Sequence, residues 1–404
     1  MPIVSNDQTT EYAPPVASAA PLAHRVISLD VMRGLAMVVM AIDHVRVYSG
    51  LPPGGPTPGI FFTRWITHFA APAFAFLAGT AAFLHGRTLE DRGTLARYLI
   101  TRGLLLILLE LTVIRFAWTF NADYGHYNLA GVIWMLGWCM ILLAAFIRLP
   151  AKAIAIIGLV IIFGQQLVAL PARAMPESLR ASVGWIWQFL YFGGDVQLGH
   201  NGPPISVLYS IVPWLGVMAA GYAFGEIMIL NEARRRRLCV HIGLAATALF
   251  VIGSTFIVLR RPAQPEDLPT LFRVLNQQKY PASPLFLLMT LGPMLLLLPA
   301  AERMRGRLAN ILAVFGRVPM FFYLLHIPLI HALAVLVSLM RDGSVTPWLF
   351  GNHPMQPPEQ PAGYMWNLGL LYLVFAIAVT ILYFPCRWYA SEKARRKRSW
   401  LRYL

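Results

Sequence analysis

Charged side chains are scarce in this chain. Only 13% of its 404 residues are Asp, Glu, Lys or Arg, whereas 57% are hydrophobic, and the mean hydropathy is +0.60. A soluble domain has roughly 25% charged residues and about 45–50% apolar ones. The composition therefore excludes a soluble globular enzyme and a disordered chain. The apolar residues lie in long blocks and do not alternate with polar ones, which excludes an outer-membrane barrel and leaves a polytopic helical membrane protein.

Cysteine is also scarce, and its placement excludes two kinds of site. The chain has three cysteines, Cys139, Cys239 and Cys386, and all of them lie in or beside apolar stretches. An odd number of cysteines without paired spacing gives neither a disulfide framework nor a set of metal ligands. The sequence therefore predicts no metal site and no disulfide-stabilised domain.

Long apolar runs make up most of the chain. A helix that crosses a bilayer needs roughly 20 mostly apolar residues. The segments that meet this criterion are Ile27–Tyr48, Arg64–His85, Leu95–Thr119, Ala130–Arg148, Ala151–Leu170, Ser206–Ile229, Leu238–Leu259, Pro284–Ala301, Ile311–Met340 and Trp366–Tyr389. The ninth is long for one crossing, and an interfacial turn before Pro319 would account for its excess length. The sequence thus predicts an all-α, polytopic integral membrane protein with about ten transmembrane helices.

The net charge of +15 suggests nucleic acid as a partner, but the distribution of the basic residues argues against it. Lys and Arg form short clusters after every second predicted helix, a pattern that fixes orientation against the cytoplasmic face. Both termini are then cytoplasmic. We expect residues 1–24 to be a disordered tail, residues 25–390 to be the transmembrane domain and residues 391–404 to be a basic tail.

The first predicted helix carries charged side chains, which are unfavourable within the bilayer and therefore need an explanation. Each charge at bilayer depth costs about 2.5–3.5 kcal/mol on insertion scales. Asp30 and Arg33 are spaced to pair at i, i+3, while Asp43 and His44 lie near the other end of the helix. Arg33 and His44 share one helical face, roughly 16 Å apart along the axis. Two interpretations stay open: interfacial ion pairs, including Asp43 with Arg46, or a polar path through the membrane.

Further ionisable residues lie on the same side of the membrane as Asp43 and His44, by topology alone. They are His68 at the start of the second helix, Arg115 in the third, Asp123 and His126 in the loop after it, and Lys279 before the eighth. Tyr323 and His326 share one face of the ninth helix. Solvated loops and satisfied histidines would explain many of these residues individually. Their convergence favours a polar site at the outer leaflet, with a charged stripe leading to it from the cytoplasmic side.

Several segments resemble one family of bacterial membrane proteins. The run SLDVMRGLA at residues 28–36, followed by Asp43 and His44, is similar to the opening of proteins related to heparan-α-glucosaminide N-acetyltransferase, in the transmembrane acyltransferase superfamily. The other matching stretches are Phe69–Gly79, Val132–Trp138, Tyr191–Gly194, Pro213–Ala220, Lys279–Pro281, Leu288–Pro293 and Gly316–His326. The resemblance runs from Arg25 to about Ala390 and so covers most of the chain.

This resemblance implies about ten or eleven spans, and transfer of an acetyl group from cytoplasmic acetyl-CoA to a sugar or glycan on the far side. The eukaryotic sugar enzymes of the family carry a catalytic His in the first outer loop, but residues 49–59 contain none here. The nearest imidazoles are those of His44 and His68. We therefore expect His44 to be the general base, with His68 second and Asp43 orienting an imidazole.

The other candidates divide between the acyl donor and the acceptor. We expect Arg33, with Asp30 beside it, to bind phosphate or pantetheine groups of acyl-CoA, and Tyr323 and His326 to line its path. The residues expected at the acceptor site are Arg115, Asp123, His126 and Lys279. The expected partners are acyl-CoA, a sugar or glycan acceptor and the lipid bilayer, without nucleic acid, and a homodimer is one option.

Two alternatives to this enzyme remain open. A transporter or flippase for a small anionic or glycan-linked solute would use the same stripe as a proton or anion path. A related O-acyltransferase would act on lipid-linked glycans or exopolysaccharide. The sequence predicts a polar membrane site in all three cases, so only substrate assays separate them.

Overall fold

The chain folds almost entirely into helices, because apolar runs in a membrane must satisfy their backbone hydrogen bonds within the segment. The computed structural model describes residues 20–395 except 55–56, 198, 200–201, 263, 265–267 and 356–358, with side chains from residue 27 onwards. The parts of the two expected tails at residues 1–19 and 396–404 lie outside this range.

The helices of the described residues are numbered in chain order. They are α1 (Ala20–Ser49), α2 (Pro58–Thr67), α3 (Ala70–Gly86), α4 (Arg92–Leu109), α5 (Arg115–Thr119), α6 (Val132–Phe146), α7 (Ala151–Gly164), α8 (Ala169–Ala174), α9 (Glu177–Trp187), α10 (Ile211–Met228), α11 (Glu232–Arg260), α12 (Thr270–Leu275), α13 (Pro284–Arg303), α14 (Arg307–Arg317), α15 (Pro319–Asp342) and α16 (Leu368–Arg395). A π-helical turn, Glu110–Ile114, joins α4 to α5.

A small sheet lies among the loops. Its strands are β1 (Asn128–Ala130), β2 (Gly194–Gln197) and β3 (Pro204–Val207), in the order β1-β3-β2. Strand β3 pairs with β1 in parallel and with β2 antiparallel. The sheet ties the loop before α6 to the loop before α10.

The structure confirms an all-α polytopic membrane protein, but not the expected count of about ten crossings. Seven helical stretches of the described chain are long and apolar enough to span a bilayer: Pro58–Gly86, Ala151–Ala174, Ile211–Met228, Glu232–Arg260, Pro284–Arg303, Pro319–Asp342 and Leu368–Arg395. Three expected spans fall short of this criterion. Helix α1 carries several charges, α4 has three arginines among its 18 residues, and α6 has only 15 residues.

Helix α1 lies at the centre of the bundle, in contact with α3, α13, α14, α15 and α16. Its backbone touches that of α14: a Cβ on Gly34 would lie 1.9 Å from Leu312 O, and one on Gly316 would lie 1.7 Å from Asp30 O. Small residues allow such close approach between helices. The contact also fixes Arg33, which donates to Gly316 O at 3.1 Å and to Asp30 Oδ1 at 3.0 Å.

The close contact of α1 with α14 gives a stability prediction. Gly316→Ala forces a Cβ against backbone atoms that cannot rotate away, so we expect destabilisation of at least about 1–3 kcal/mol, the usual cost of overpacking. Thermal unfolding of the detergent-solubilised protein measures it. Gly164→Ala is the matched control, because its Cβ would meet only Leu167 Cδ1 at 3.9 Å. Equal unfolding midpoints for the two variants would contradict the close contact between α1 and α14.

The two ends of the bundle differ in charge. At one end, here called the basic end, Arg92 donates to Ile147 O at 3.0 Å, and the buried Arg235 pairs with Glu302 at 2.6 Å. At the opposite end, the last loop is bound to the end of α1, since Trp366 N donates to Ser49 O at 2.9 Å. The basic loops thus gather at one end, as the charge alternation in the sequence predicts.

Candidate active site

A polar cavity opens towards the end of the bundle opposite the basic end, and we call it the histidine cavity. Its volume is about 170 Å³. Its polar and charged lining residues are Asp43, His44, Arg46, Arg64, Thr67, His68, Glu110, Tyr209, Lys279, Tyr280 and Tyr323. The structure therefore brings together Asp43, His44, His68 and Lys279, which topology alone placed at one level of the membrane, and adds Tyr323, which was expected to line the path of the donor.

A second cavity, the basic cavity, lies at the basic end and has a volume of about 330 Å³. Its ionisable and tyrosine lining residues are Arg33, His85, Tyr98, Arg102, Arg317, Lys393 and Tyr323. The rest of the wall is apolar and comes mainly from α3, α4 and α6. A cationic mouth thus leads to an apolar interior.

The two cavities meet inside the bundle. Phe74, Val132 and Tyr323 line both of them, so one polar and one apolar compartment adjoin at these side chains, which we call the junction. Arg33 lies in the basic cavity and His44 in the histidine cavity. The face of α1 that carries both residues therefore borders internal space and not lipid alone.

The imidazole of His44 is held by a second imidazole, that of His326. His44 Nδ1 lies 2.6 Å from His326 Nε2, and the fully buried His326 places its Nδ1 2.6 Å from Tyr323 O. A carbonyl oxygen only accepts, so His326 donates from Nδ1 and its Nε2 must accept from His44 Nδ1–H. This network leaves His44 Nε2 with its lone pair, and Nε2 has no partner among the described residues. The arrangement is that of an oriented general base.

Asp43 is paired with its neighbour on α1 and not with an imidazole. Its Oδ1 accepts from Arg46 Nε at 2.8 Å, and Arg46 also donates to Leu51 O at 3.0 Å. The interpretation of Asp43 as an ion-paired residue, left open by the sequence, matches this geometry. The group that orients His44 is instead His326, which comes from α15.

His68 and Lys279 line the same cavity without ion-pair partners among the described residues. His68 lies between α2 and α3 and is 4% exposed. Its Nδ1 has no hydrogen-bond partner in the part of the chain that the structure describes. Lys279 is 8% exposed, and its Nζ lies 5.5 Å from the ring centre of Tyr209 and 5.1 Å from that of Tyr280. A buried ammonium held by aromatic faces is available to an anionic or strongly polar ligand.

Three of the expected acceptor residues lie outside the cavity. The guanidinium of Arg115 binds the loop that follows it, since it donates to the carbonyl oxygens of Tyr127, Asn121 and Asp123. Asp123 and His126 form an exposed pair at 2.6 Å, and this hydrogen bond lowers the pKa of Asp123 below its ordinary value. These residues shape the loop that precedes β1.

The expected site residues did not include several that the structure places at the two cavities. Glu110 lines the histidine cavity, and its only signal was a carboxyl group deep in an apolar segment. Arg102, Arg317, Lys393 and His85 line the basic cavity, but in the sequence they resemble ordinary orientation signals near helix ends. Among the described residues, no group of three or more His, Cys, Asp or Glu side chains is arranged to hold a metal ion.

Comparison with known proteins identifies the family. The family described as "Heparan-alpha-glucosaminide N-acetyltransferase, catalytic" matches residues 25–259, more than half of the chain. No curated protein matches the chain. The matched stretch includes His44, His68 and Glu110, whereas Lys279, Tyr323 and His326 come from the part of the chain beyond it. The chain therefore belongs to the heparan-alpha-glucosaminide N-acetyltransferase catalytic family.

Proposed function

We propose that this protein is a membrane acyltransferase that moves an acetyl group from acetyl-CoA to a sugar or glycan acceptor. The observation that carries this proposal is the junction, where a cavity with a cationic mouth meets a cavity with an oriented imidazole. The donor enters at the basic end and the acceptor enters from the opposite end. In a bacterial inner membrane, the basic end with both termini then faces the cytoplasm.

The basic cavity suits the chemistry of coenzyme A. The phosphate groups of coenzyme A need cationic partners. The cavity is lined by four cationic side chains, Arg33, Arg102, Arg317 and Lys393. Asp30 offsets part of this charge, since it lies 3.0 Å from Arg33 Nη1 and 3.9 Å from Arg317 Nε. The pantetheine arm is thin and mostly uncharged, which matches the apolar wall between the mouth and the junction. The thioester would then reach Tyr323.

The histidine cavity supplies the groups that acyl transfer requires. His44 Nε2 takes the proton of the acceptor O–H or N–H as the oxygen or nitrogen attacks the thioester carbon. His326 is a positioning residue that keeps His44 in the reactive tautomer. Tyr323 lines both cavities, and its hydroxyl would be the donor for the oxyanion that develops at the junction. The C–S bond then breaks, and CoA departs with the electron pair on its sulfur.

Aromatic and charged groups on the outer side support a sugar acceptor. Tyr209 and Tyr280 line the histidine cavity beside Lys279, and sugars bind by stacking on such rings and by hydrogen bonds to the polar groups between them. The description of the family names a glucosaminide, which makes an amino sugar the first acceptor to test. A hydroxyl acceptor on a lipid-linked glycan would use the same base.

A direct assay tests the proposal. Purified protein is incubated with acetyl-CoA and glucosamine or a set of neutral hexoses, and the products are measured by mass spectrometry and by thiol release. We expect thiol release that depends on the sugar, together with one acetylated sugar per thiol. Counterflow of a sugar or anion in liposomes without any need for CoA, and without acetylated product, would overturn the enzyme in favour of a transporter.

A further inference from the structure

Glu110 is a buried carboxyl group that the mechanism above does not use. It opens the π-helical turn after α4, and it is fully buried. Its Oε2 accepts from Ile133 N at 2.9 Å and from Trp134 N at 3.2 Å, at the start of α6. Its Oε1 has no partner among the described residues, although the residue lines the histidine cavity. Gly131 leaves room for Oε1, since a Cβ there would lie 2.6 Å from that atom.

The surroundings of Glu110 fit a neutral carboxyl group better than a carboxylate. No described Lys or Arg forms an ion pair with it, and an isolated charge in an apolar interior usually takes up a proton. In the neutral form, the carbonyl oxygen accepts both backbone N–H groups, and the hydroxyl is left to donate from Oε1. π-helical turns within α-helices are frequent at functional sites. The geometry therefore leaves one proton, on Oε1, that no described group accepts.

The carboxyl group lies on the donor side of the histidine cavity. Val132 lines both cavities, and Ile133, whose N–H binds Glu110, lines the basic cavity. Leu106, one turn before Glu110 on α4, also lines the basic cavity. His44 comes from a different helix, α1. A thioester that arrives through the junction would thus meet the carboxyl near its sulfur and the imidazole near the attacking group.

We propose that Glu110 is the general acid that protonates the departing CoA thiolate, an inference that rests on the acyltransferase function proposed above. As the acceptor attacks, its proton passes to His44 Nε2 and the new C–O or C–N bond forms. When the C–S bond breaks, the electron pair stays on sulfur, and the sulfur takes the proton from Glu110 Oε1. Return of the proton from His44 to Glu110 through the cavity completes the cycle, with no other reactant.

Leaving-group chemistry separates this role from a structural one. The alkyl thiolate of CoA is a poorer leaving group than thiophenolate, because an alkyl thiol is a weaker acid than thiophenol, so departure of CoA gains more from a proton donor. Glu110→Gln keeps the shape and an oxygen for both N–H groups but has no proton to give. With acetyl-CoA and glucosamine, we expect kcat to fall by at least about 100-fold, the lower range for general acid catalysis. With S-phenyl thioacetate as donor, we expect a rate near that of the wild type.

Two further variants complete the experiment. Gly131→Ala keeps the carboxyl group but displaces Oε1. We therefore expect kcat with acetyl-CoA to fall less than in Glu110→Gln, and the rate with S-phenyl thioacetate to stay near that of the wild type. Glu226→Gln, an exposed position outside both cavities, should leave both rates unchanged. Equal losses of Glu110→Gln with the two donors, or no loss with acetyl-CoA, would overturn the acid role while leaving the acyltransferase intact. Absence of transfer by the wild type from either donor would overturn both.

Discussion

Replacing His44 with alanine is expected to reduce acetyl transfer to the background rate while the protein stays folded in the membrane. The lone pair of His44 Nε2 is the oriented base in the cavity, because His326 holds the other ring nitrogen at 2.6 Å. Loss of a general base costs about 10²–10⁴-fold in rate. The measurement is steady-state acetylation of glucosamine by acetyl-CoA, with both donors of the leaving-group experiment. The His44 variant should lose acetyl transfer from both donors, whereas Glu110→Gln should lose it only with acetyl-CoA.

A matched control separates this effect from general damage. His241 lies on the exposed surface of α11, outside both cavities, and His241→Ala should behave as the wild type. His326→Gln tests the positioning role, since it leaves His44 in place but not in a fixed tautomer. We expect a reduced kcat and a changed pH profile, with KM for acetyl-CoA unaltered. Full activity of His44→Ala would remove this residue from the mechanism.

Replacing Arg102 with glutamate is expected to raise the KM for acetyl-CoA with little change in kcat. Arg102 lines the basic cavity and donates to the hydroxyl of Tyr98, another lining residue, at 3.0 Å. A charge-assisted hydrogen bond contributes about 1.5–3 kcal/mol, so a loss of this size corresponds to roughly 10- to 150-fold in binding. Kinetics at varied acetyl-CoA measure it, and the effect should weaken at high salt.

The control for this variant lies on the same helix. Arg97 is exposed and does not line the cavity, so Arg97→Glu should leave KM near the wild-type value. S-phenyl thioacetate carries no phosphate, and its use by Arg102→Glu should match that of the wild type. An equal loss with both donors would mean that Arg102 supports the fold and not CoA binding.

The helical architecture could be predicted from the sequence because hydrocarbon imposes a length and a composition on each crossing. The small sheet could not be predicted, since β1 has three residues and β2 and β3 have four each, too short for a clear alternation. The break between α14 and α15 falls at Val318, directly before Pro319. That break agrees with the interfacial turn expected there.

The candidate site was predictable only where local spacing decides the outcome. Asp43 with Arg46 and Asp30 with Arg33 are i, i+3 pairs, and both form. The contact of His44 with His326 joins residues 282 positions apart, and no periodicity within either helix reports such a pairing. The role of Arg115 could not be predicted either, because a sequence does not tell whether a guanidinium binds a ligand or the carbonyl oxygens of its own loop.

The central claim is that donor and acceptor meet from opposite sides of the membrane, at the junction of the two cavities. Sealed proteoliposomes test it, with the protein in one orientation, acetyl-CoA on the side of the basic end and glucosamine on the other. The account predicts acetylated sugar on the sugar side and free CoA on the donor side, with no movement of either substrate across the bilayer. Acetylation that occurs only when both substrates share one side would contradict it.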